Sequence, residues 1–447
     1  MSGCTPKSGP AVAPADLSAI HSDVEGSMRL IEGVMYRNYA PPKGADPDRI
    51  TFVMVDEDKC QGCGACDEVC ATGAIQSIND DGIHRIVDPV ACMNCGQCLT
   101  NCPYGAISEG VSFVDELFEK LKDPDTVVVS MPAPSVRYGL GECFGAATGT
   151  YVGGKMHAAL RKLGFNYIWD TEFAADLTIM EEGTELIHRV KEQGQKDARP
   201  LPQFTSCCPG WIKFAETYYP DLMPNLSSCK SPIGMLGPLC KTYGAKETGT
   251  SPKKIYTVSI MPCIAKKYEG IRPELTDSGF SDIDATINTR ELAYMIKAAG
   301  IDFNNLPDED PDPVLGESTG AATIFGNSGG VMEAALRLAY EELSGEKLKN
   351  PEIKVVRTHE GINTADIKVP NFGVVKVAVA SGLKNAAKLC DEVRAGKSPY
   401  HFIEIMTCPG GCVNGGGQPL DPEIQASLFR STVAQINKRF RVRKIKA

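Results

Sequence analysis

Two cysteine runs of the form C-x2-C-x2-C-x3-C constrain the N-terminal part of this chain more tightly than any other feature. They are Cys60-Gln61-Gly62-Cys63-Gly64-Ala65-Cys66-Asp67-Glu68-Val69-Cys70 and Cys92-Met93-Asn94-Cys95-Gly96-Gln97-Cys98-Leu99-Thr100-Asn101-Cys102. A cuboidal iron–sulfur cluster needs four thiolates at tetrahedral corners. The tight C-x2-C-x2-C turn supplies three of them, and the fourth cysteine of the run ligates the neighbouring cluster. The spacing therefore predicts two [4Fe-4S] clusters, one on Cys60, Cys63, Cys66 and Cys102 and the other on Cys92, Cys95, Cys98 and Cys70. A pair of zinc sites is the alternative, which the triple-cysteine spacing does not favour. The surroundings repeat as well. Thr51–Val55 reads as a strand before the first run, Arg85-Ile86-Val87 leads into the second, and Gly73-Ala74-Ile75 and Gly105-Ala106-Ile107 follow them. The stretch from Ile50 to Gly110 is thus an internal duplication. Ala71 stands where proline often follows the fourth cysteine, a position that Pro103 keeps in the second run.

Composition excludes several classes. The chain has 447 residues, enough for two or three domains with a substantial core. Its eighteen cysteines are spaced for metal and not as the disulfide framework of a short secreted protein. No apolar run approaches the roughly 18 residues of a membrane helix, so no transmembrane segment is expected. A formal charge of -10 argues against a nucleic-acid surface and suits docking to a basic patch on a redox partner. Met1 to Asp16 has neither a charged n-region nor an apolar h-region and does not read as a signal peptide. Cys4 reads as a free thiol within it.

Residues 1–45 read as a flexible leader with one short helix, Asp23 to Tyr36, ended by the breaker Pro41-Pro42-Lys43-Gly44. Residues 46–112 form the two-cluster, ferredoxin-like α+β module. After a helical segment near Val114 to Lys122 the chain alternates strands and helices in the α/β manner. Four apolar runs stop at proline or cysteine turns: Thr126–Ser130 before Pro132-Ala133-Pro134-Ser135, Pro202–Ser206 before Cys207-Cys208, Ile255–Ile260 before Met261-Pro262-Cys263, and His401–Met406 before Cys408. Several strand ends converging on one site is the pattern this predicts. Helices are expected over Gly154–Leu163, Ile212–Tyr218 and Gly330–Leu343, with a further strand at Val374–Val379.

The last of those turns opens a loop that is nearly free of side chains, Cys408-Pro409-Gly410-Gly411-Cys412-Val413-Asn414-Gly415-Gly416-Gly417-Gln418-Pro419. Such a backbone can wrap a bulky inorganic ligand and donate N–H groups to it; the alternative is a surface loop with two incidental cysteines. Cys208, Cys263, Cys408 and Cys412 are the complement for one more four-iron cluster.

The motifs Thr205-Ser206-Cys207-Cys208-Pro209-Gly210-Trp211, Met261-Pro262-Cys263-Ile264-Ala265-Lys266-Lys267-Tyr268-Glu269 and Met406-Thr407-Cys408-Pro409-Gly410-Gly411-Cys412 together resemble the three signatures of the iron-only, [FeFe], hydrogenases. The resemblance runs from about residue 45 to the C-terminus. It implies a two-lobed α/β catalytic domain over 113–420 and a reversible 2H⁺ + 2e⁻ ⇌ H₂ reaction at an H-cluster. That group is a four-iron cubane on Cys208, Cys263, Cys408 and Cys412, joined to a two-iron unit with CO, CN and azadithiolate ligands. By position Cys412 is similar to the bridging cysteine. Lys266 and the Pro134-Ser135 turn match the donors to the cyanides, and Met261 and Met406 match the apolar shell, where ordinary core packing is their alternative.

For proton supply, the same resemblance makes Cys207 the first relay thiol, Glu182 and Glu185 its carboxylates, and Ser231 the hydroxyl between them. Three residues apart, the two glutamates would share a helix face. Without the resemblance a solvated helix face would be the preferred reading. Cys143, Cys229, Cys240 and Cys390 have no partner at ligand spacing and read as small buried residues. Thr407, where the family commonly has alanine, adds a hydroxyl beside a ligand.

Only Leu420 to Ala447 follows the glycine loop, and its end from Lys438 to Lys446 is basic and amphipathic. Residues 421–447 therefore read as a basic tail, and the chain looks like the large subunit of the split, heterodimeric members. That implies a small subunit, a redox carrier such as ferredoxin or cytochrome c, and proteins that assemble the diiron unit. The absence of a signal peptide suggests the cytoplasm, or the periplasm if a partner carries the export signal. A dihydrogen sensor and a subunit of a larger electron-transfer assembly, such as one reducing CO₂ with hydrogen, are the rival readings. Sensors tend to lose the relay thiol that Cys207 supplies here.

Overall fold

The computed structural model describes residues 13–420 apart from positions 78, 80, 351, 354, 355, 359 and 360, and at 314 the backbone alone. Cys4 and the basic tail over 421–447 lie outside the described residues.

The helix expected over Asp23 to Tyr36 is instead a β-hairpin, Met28–Ile31 antiparallel to Val34–Arg37 with Ile31 opposite Val34. Its cause is local. Glu32 and Gly33 both have positive φ, 44° and 81°, the two-residue turn whose twist suits a hairpin. The buried positions Val34 and Tyr36 alternate with half-exposed ones, a period of two and not of 3.6. The hairpin continues the sheet of the cysteine module. Val34–Arg37 runs parallel to Ile107–Glu109, which pairs antiparallel with Val53–Val55. Residues 28–37 therefore share a sheet with the segments that flank the cysteine runs.

The larger part of the chain carries two four-stranded sheets. In the first, Ala285–Asn288, Ile255–Met261, Val127–Pro132 and Tyr167–Ile168 are all parallel. In the second, Gly361–Val369 is antiparallel to Gly373–Ser381, beside which Phe402–Met406 and Gln203–Phe204 run parallel. Strands covered on both faces read as unbroken apolar runs, and Ile255–Met261 and Phe402–Met406 are buried at every position. The second sheet shows how the pleat serves two cores. Val377, Val379, Phe402 and Met406 join one hydrophobic cluster, whereas Ala378, Ala380, Ile403 and Ile405 join another on the opposite face.

The helices expected near 154–163, 212–218 and 330–343 are found at Gly153–Lys162, Pro209–Tyr218 and Gly330–Ser344. The Thr171–Lys191 helix, N-capped by Asp170, packs beside Gly330–Ser344 and Pro232–Leu239. A fully buried charge network ties the module to the first sheet. Lys267 bonds Glu109 at 2.8 Å and Glu291 at 2.9 Å, and Arg290 reaches Glu109 at 2.5 Å. Arg290 also donates to the carbonyl oxygens of Gln418 and Gly416, at 2.5 and 2.7 Å, and so holds the end of the glycine loop.

Candidate functional site

The C-terminal ends of the two sheets deliver four turns into one cavity of about 830 Å³ free of protein atoms. Crevices at the carboxyl ends of parallel strands are where such sheets place ligands. From the first sheet come Pro134 and Ser135 and, on the neighbouring strand, Met261, Cys263 and Lys266. From the second come Cys207 and Cys208, then Met406, Cys408 and Cys412. All ten residues expected at this site line it.

The donor set suits a polynuclear cluster. Among the described residues no three His, Cys, Asp or Glu side chains converge closely enough for a single ion. The four thiols stand apart around a void, as a ligand of several atoms requires. Burial pushes the Cys263 thiol up to about 12 and raises Cys408 and Cys412. These thiols therefore stay protonated until a cation such as iron displaces the proton. The Ser135 hydroxyl, 1% exposed, has no hydrogen-bond partner among the described residues and is free to donate into the cavity. Burial opposes the charge of Lys266, yet Glu269 at 2.5 Å keeps it protonated. Its Nζ also donates to the Cys207 carbonyl at 3.1 Å.

Two further cavities, of about 330 and 1200 Å³, adjoin the cysteine runs of the N-terminal module. One is lined by Cys60, Cys63, Cys66 and Cys102, the other by Cys70, Cys92, Cys95 and Cys98. Cys63 is exposed, so the first cavity lies near the surface. Cys95 lines both the second cavity and the main one. The glycine loop makes this junction possible. A Cβ on Gly416 would stand 2.4 Å from the Cys95 carbonyl oxygen, so the loop meets the Cys95-Gly96 turn backbone to backbone. Gly411, at φ +96°, approaches the Ser328 N–H as closely, at 2.5 Å from its Cβ position. Part of the glycine content expected to wrap a ligand therefore serves contact between main-chain segments.

The two carboxylates share the Thr171–Lys191 helix but not an environment. Glu182 is fully buried, neither oxygen completes a hydrogen bond among the described residues, and burial pushes its carboxyl up to about 8. The Ser227 hydroxyl and Ser206 N–H are its nearest donors and lower it only in part. The adjoining Cys207 thiol is raised well above the usual range, first by burial and then by Glu182. Burial acts on Glu185 too. There it is outweighed by Arg189 at 2.6 Å, Arg199 at 2.5 Å and the Ser228 N–H at 2.9 Å, which hold it near 2.

Ser231 does not stand between them. It begins the Pro232–Leu239 helix, where its oxygen accepts from the Gly234 N–H at 3.4 Å, and its hydroxyl is committed to Glu269. The hydroxyl between the carboxylates belongs to Ser227, which donates to Glu185 at 3.1 Å and is the first hydrogen-bonding influence on Glu182. Sequence reasoning missed Ser227, and also Glu269, which pairs with Lys266. Ser227 gave no distinguishing signal in Ser227-Ser228-Cys229-Lys230-Ser231. Cys240 and Cys390 are buried as expected, whereas Cys143 and Cys229 are only half-buried.

Comparison with known proteins adds an independent line. Residues 126–416 match the family described as the iron-only hydrogenase large subunit, C-terminal domain, and residues 59–106 match a 4Fe-4S dicluster domain. The chain is 57% identical over 406 residues to the periplasmic [Fe] hydrogenase large subunit of Nitratidesulfovibrio vulgaris, covering 91% of this chain and 95% of that one. It is 46% identical to iron hydrogenase 1 of Clostridium pasteurianum, over 83% of this chain and 66% of that longer one. The apo [FeFe]-hydrogenase of Chlamydomonas reinhardtii, solved as a Cys-to-His variant, superposes with a TM-score of 0.62 at 40% identity. That match covers 72% of this chain and 89% of the other.

Proposed function

The chain belongs to the iron-only hydrogenase large-subunit family and is an oxidoreductase acting on H₂, and from that premise we propose how its own residues divide the work. Cys208, Cys263, Cys408 and Cys412 hold the cubane of the H-cluster, with Cys412 the bridge to the diiron unit. Cys60, Cys63, Cys66 and Cys102 hold the outer cluster of the N-terminal module, and Cys92, Cys95, Cys98 and Cys70 the inner one. The H-cluster supplies the redox chemistry of H₂. The protein supplies electrons, protons and exclusion of water. The observation that most supports this reading is the meeting of four cysteines, Cys207, Lys266 and an unpartnered Ser135 around one buried cavity.

Lys266 and Ser135 donate to the cyanide ligands, anions whose burial without donors would be costly. Pro134, Met261 and Met406 close the apolar shell. Exposed Cys63 would hold the outer cluster within reach of a redox partner, and Cys95, which lines both cavities, would stand between the inner cluster and the cubane. Protons travel between solvent and the cavity through Glu185, Ser227, Glu182 and Cys207. Glu185, held near 2, is a poor resting place for a proton, and Glu182, near 8, is a good one at neutral pH. A proton arriving at Glu185 therefore moves inward to the more basic carboxylate, Glu182, and is kept one step from the Cys207 thiol.

The likeness to a large subunit over 95% of that subunit's length supports the heterodimeric type, with a small subunit as partner. A redox carrier and the diiron-assembly proteins complete the set of partners. Among the described residues no helix is long and apolar enough to cross a membrane. The test is H₂ production with reduced viologen after assembly of the diiron unit. Turnover is expected, and its absence from a chain shown by infrared CO and CN bands to hold the full unit would overturn the reading.

A further inference from the structure

Thr407 occupies the wall between two cofactor sites. It lines the main cavity and also the cavity of Cys70, Cys92, Cys95 and Cys98, and it is 6% exposed. Its Oγ1 lies 3.2 Å from the Cys208 sulfur. Space for that hydroxyl is made across the contact by Gly210, where a Cβ would stand 2.8 Å from Thr407 Oγ1 and 3.1 Å from its methyl carbon. A metal-bound cysteine is a thiolate and can only accept, so with Cys208 ligated the hydroxyl must be the donor.

Hydrogen bonds to cluster sulfurs stabilise the more negative, reduced state and so raise the reduction potential. Resting on the assignment of Cys208 as a cubane ligand, we propose that Thr407 is a positioning residue that raises the potential of the cubane by donating to the Cys208 thiolate. Its place on the wall that faces the inner cluster gives this bond a function. A cubane that is easier to reduce draws electrons inward from the N-terminal module, and the hydroxyl sets that bias without touching the reacting atoms.

The experiment uses the full chain carrying its iron–sulfur clusters without the diiron unit, titrated with dithionite and followed by electron paramagnetic resonance. Cys263→Ala identifies the cubane signal as the one it removes; if it removes none, the ligand assignment itself fails. With that signal identified, Thr407→Val keeps the shape and loses the donor. Its cubane is expected to be harder to reduce, with the oxidised-to-reduced ratio at a fixed potential rising about tenfold, equal to about 59 mV for one electron. Thr407→Ala provides a second donor-free variant should valine fold poorly, and Thr407→Ser should restore the native midpoint. The other two cluster midpoints should stay in place. An unchanged midpoint in both donor-free variants, or a shift in Thr407→Ser as large as in Thr407→Val, would overturn the proposal.

Discussion

Replacing Glu182 by glutamine should make the protein more stable and nearly inactive at once. The carboxyl is fully buried and its pKa is raised from 4.5 to about 8, with burial the first cause. The sign follows from proton counting. Between those values the unfolded chain releases the proton and the folded chain keeps it, so stability falls with rising pH by about 1.4 kcal/mol per pH unit. By pH 7 the loss is about 3 kcal/mol; below pH 4.5 it is absent. The anionic clusters push the carboxyl further in the same direction. Glu182→Gln places a neutral amide there at every pH. Its own burial cost is constant, and the difference between the two proteins isolates the titration. Thermal scans at matched rates should show the variant gaining about 3–6 °C on the native chain between pH 4.5 and 7. Hydrogen turnover should fall about 10²- to 10⁴-fold, the usual contribution of a positioned proton-transfer group. Parallel stability curves from pH 4.5 to 7, or full turnover in the variant, would refute the reasoning.

Cys207→Ala should keep the infrared CO and CN bands and lose about 10²-fold or more in turnover; native turnover would remove the thiol from the proton path. Ser227→Ala should slow hydrogen–deuterium exchange catalysed with H₂. Ser231→Ala should leave that exchange near native and instead cost about 1 kcal/mol in denaturant unfolding, as loss of a helix cap does; the reverse pattern would restore Ser231 to the relay. Glu109→Gln leaves Lys267 and Arg290 buried with one carboxylate fewer and should destabilise the chain by about 3–5 kcal/mol. A loss below about 1 kcal/mol would show that the network relaxes around the change.

What could be read from the sequence was what local covalent spacing decides. The cysteine runs fix thiols within a few residues of one another, and the buried strands announce themselves as unbroken apolar runs ended by proline or cysteine. The hairpin at 28–37 was harder because Glu32-Gly33 is a weak form of the usual Asn-Gly or Asp-Gly turn. Ser231 was legible and was misread. Serine followed by proline is the start of a helix, a cap whose hydroxyl is already committed. Arg189, four residues after Glu185 on the same helix, was also legible as the partner that holds Glu185 ionised. The depth of Glu182 was not, since it depends on elements brought from elsewhere in the chain. The same limit applies to Gly416. Its composition suggested a flexible ligand wrap, but the close approach to Cys95 requires knowing that residues 95 and 416 meet. That contact links the two cysteine-bearing halves. The turn that carries Cys95 and the loop that carries Cys412 approach without side chains between them, and a methyl group at 416 would have to push them apart. The glycines of this loop are therefore constrained from two sides, by the ligand cavity on one and by the electron-delivering module on the other. Arg290, bonded to both the Gly416 carbonyl and Glu109 of the module, holds the two sides together.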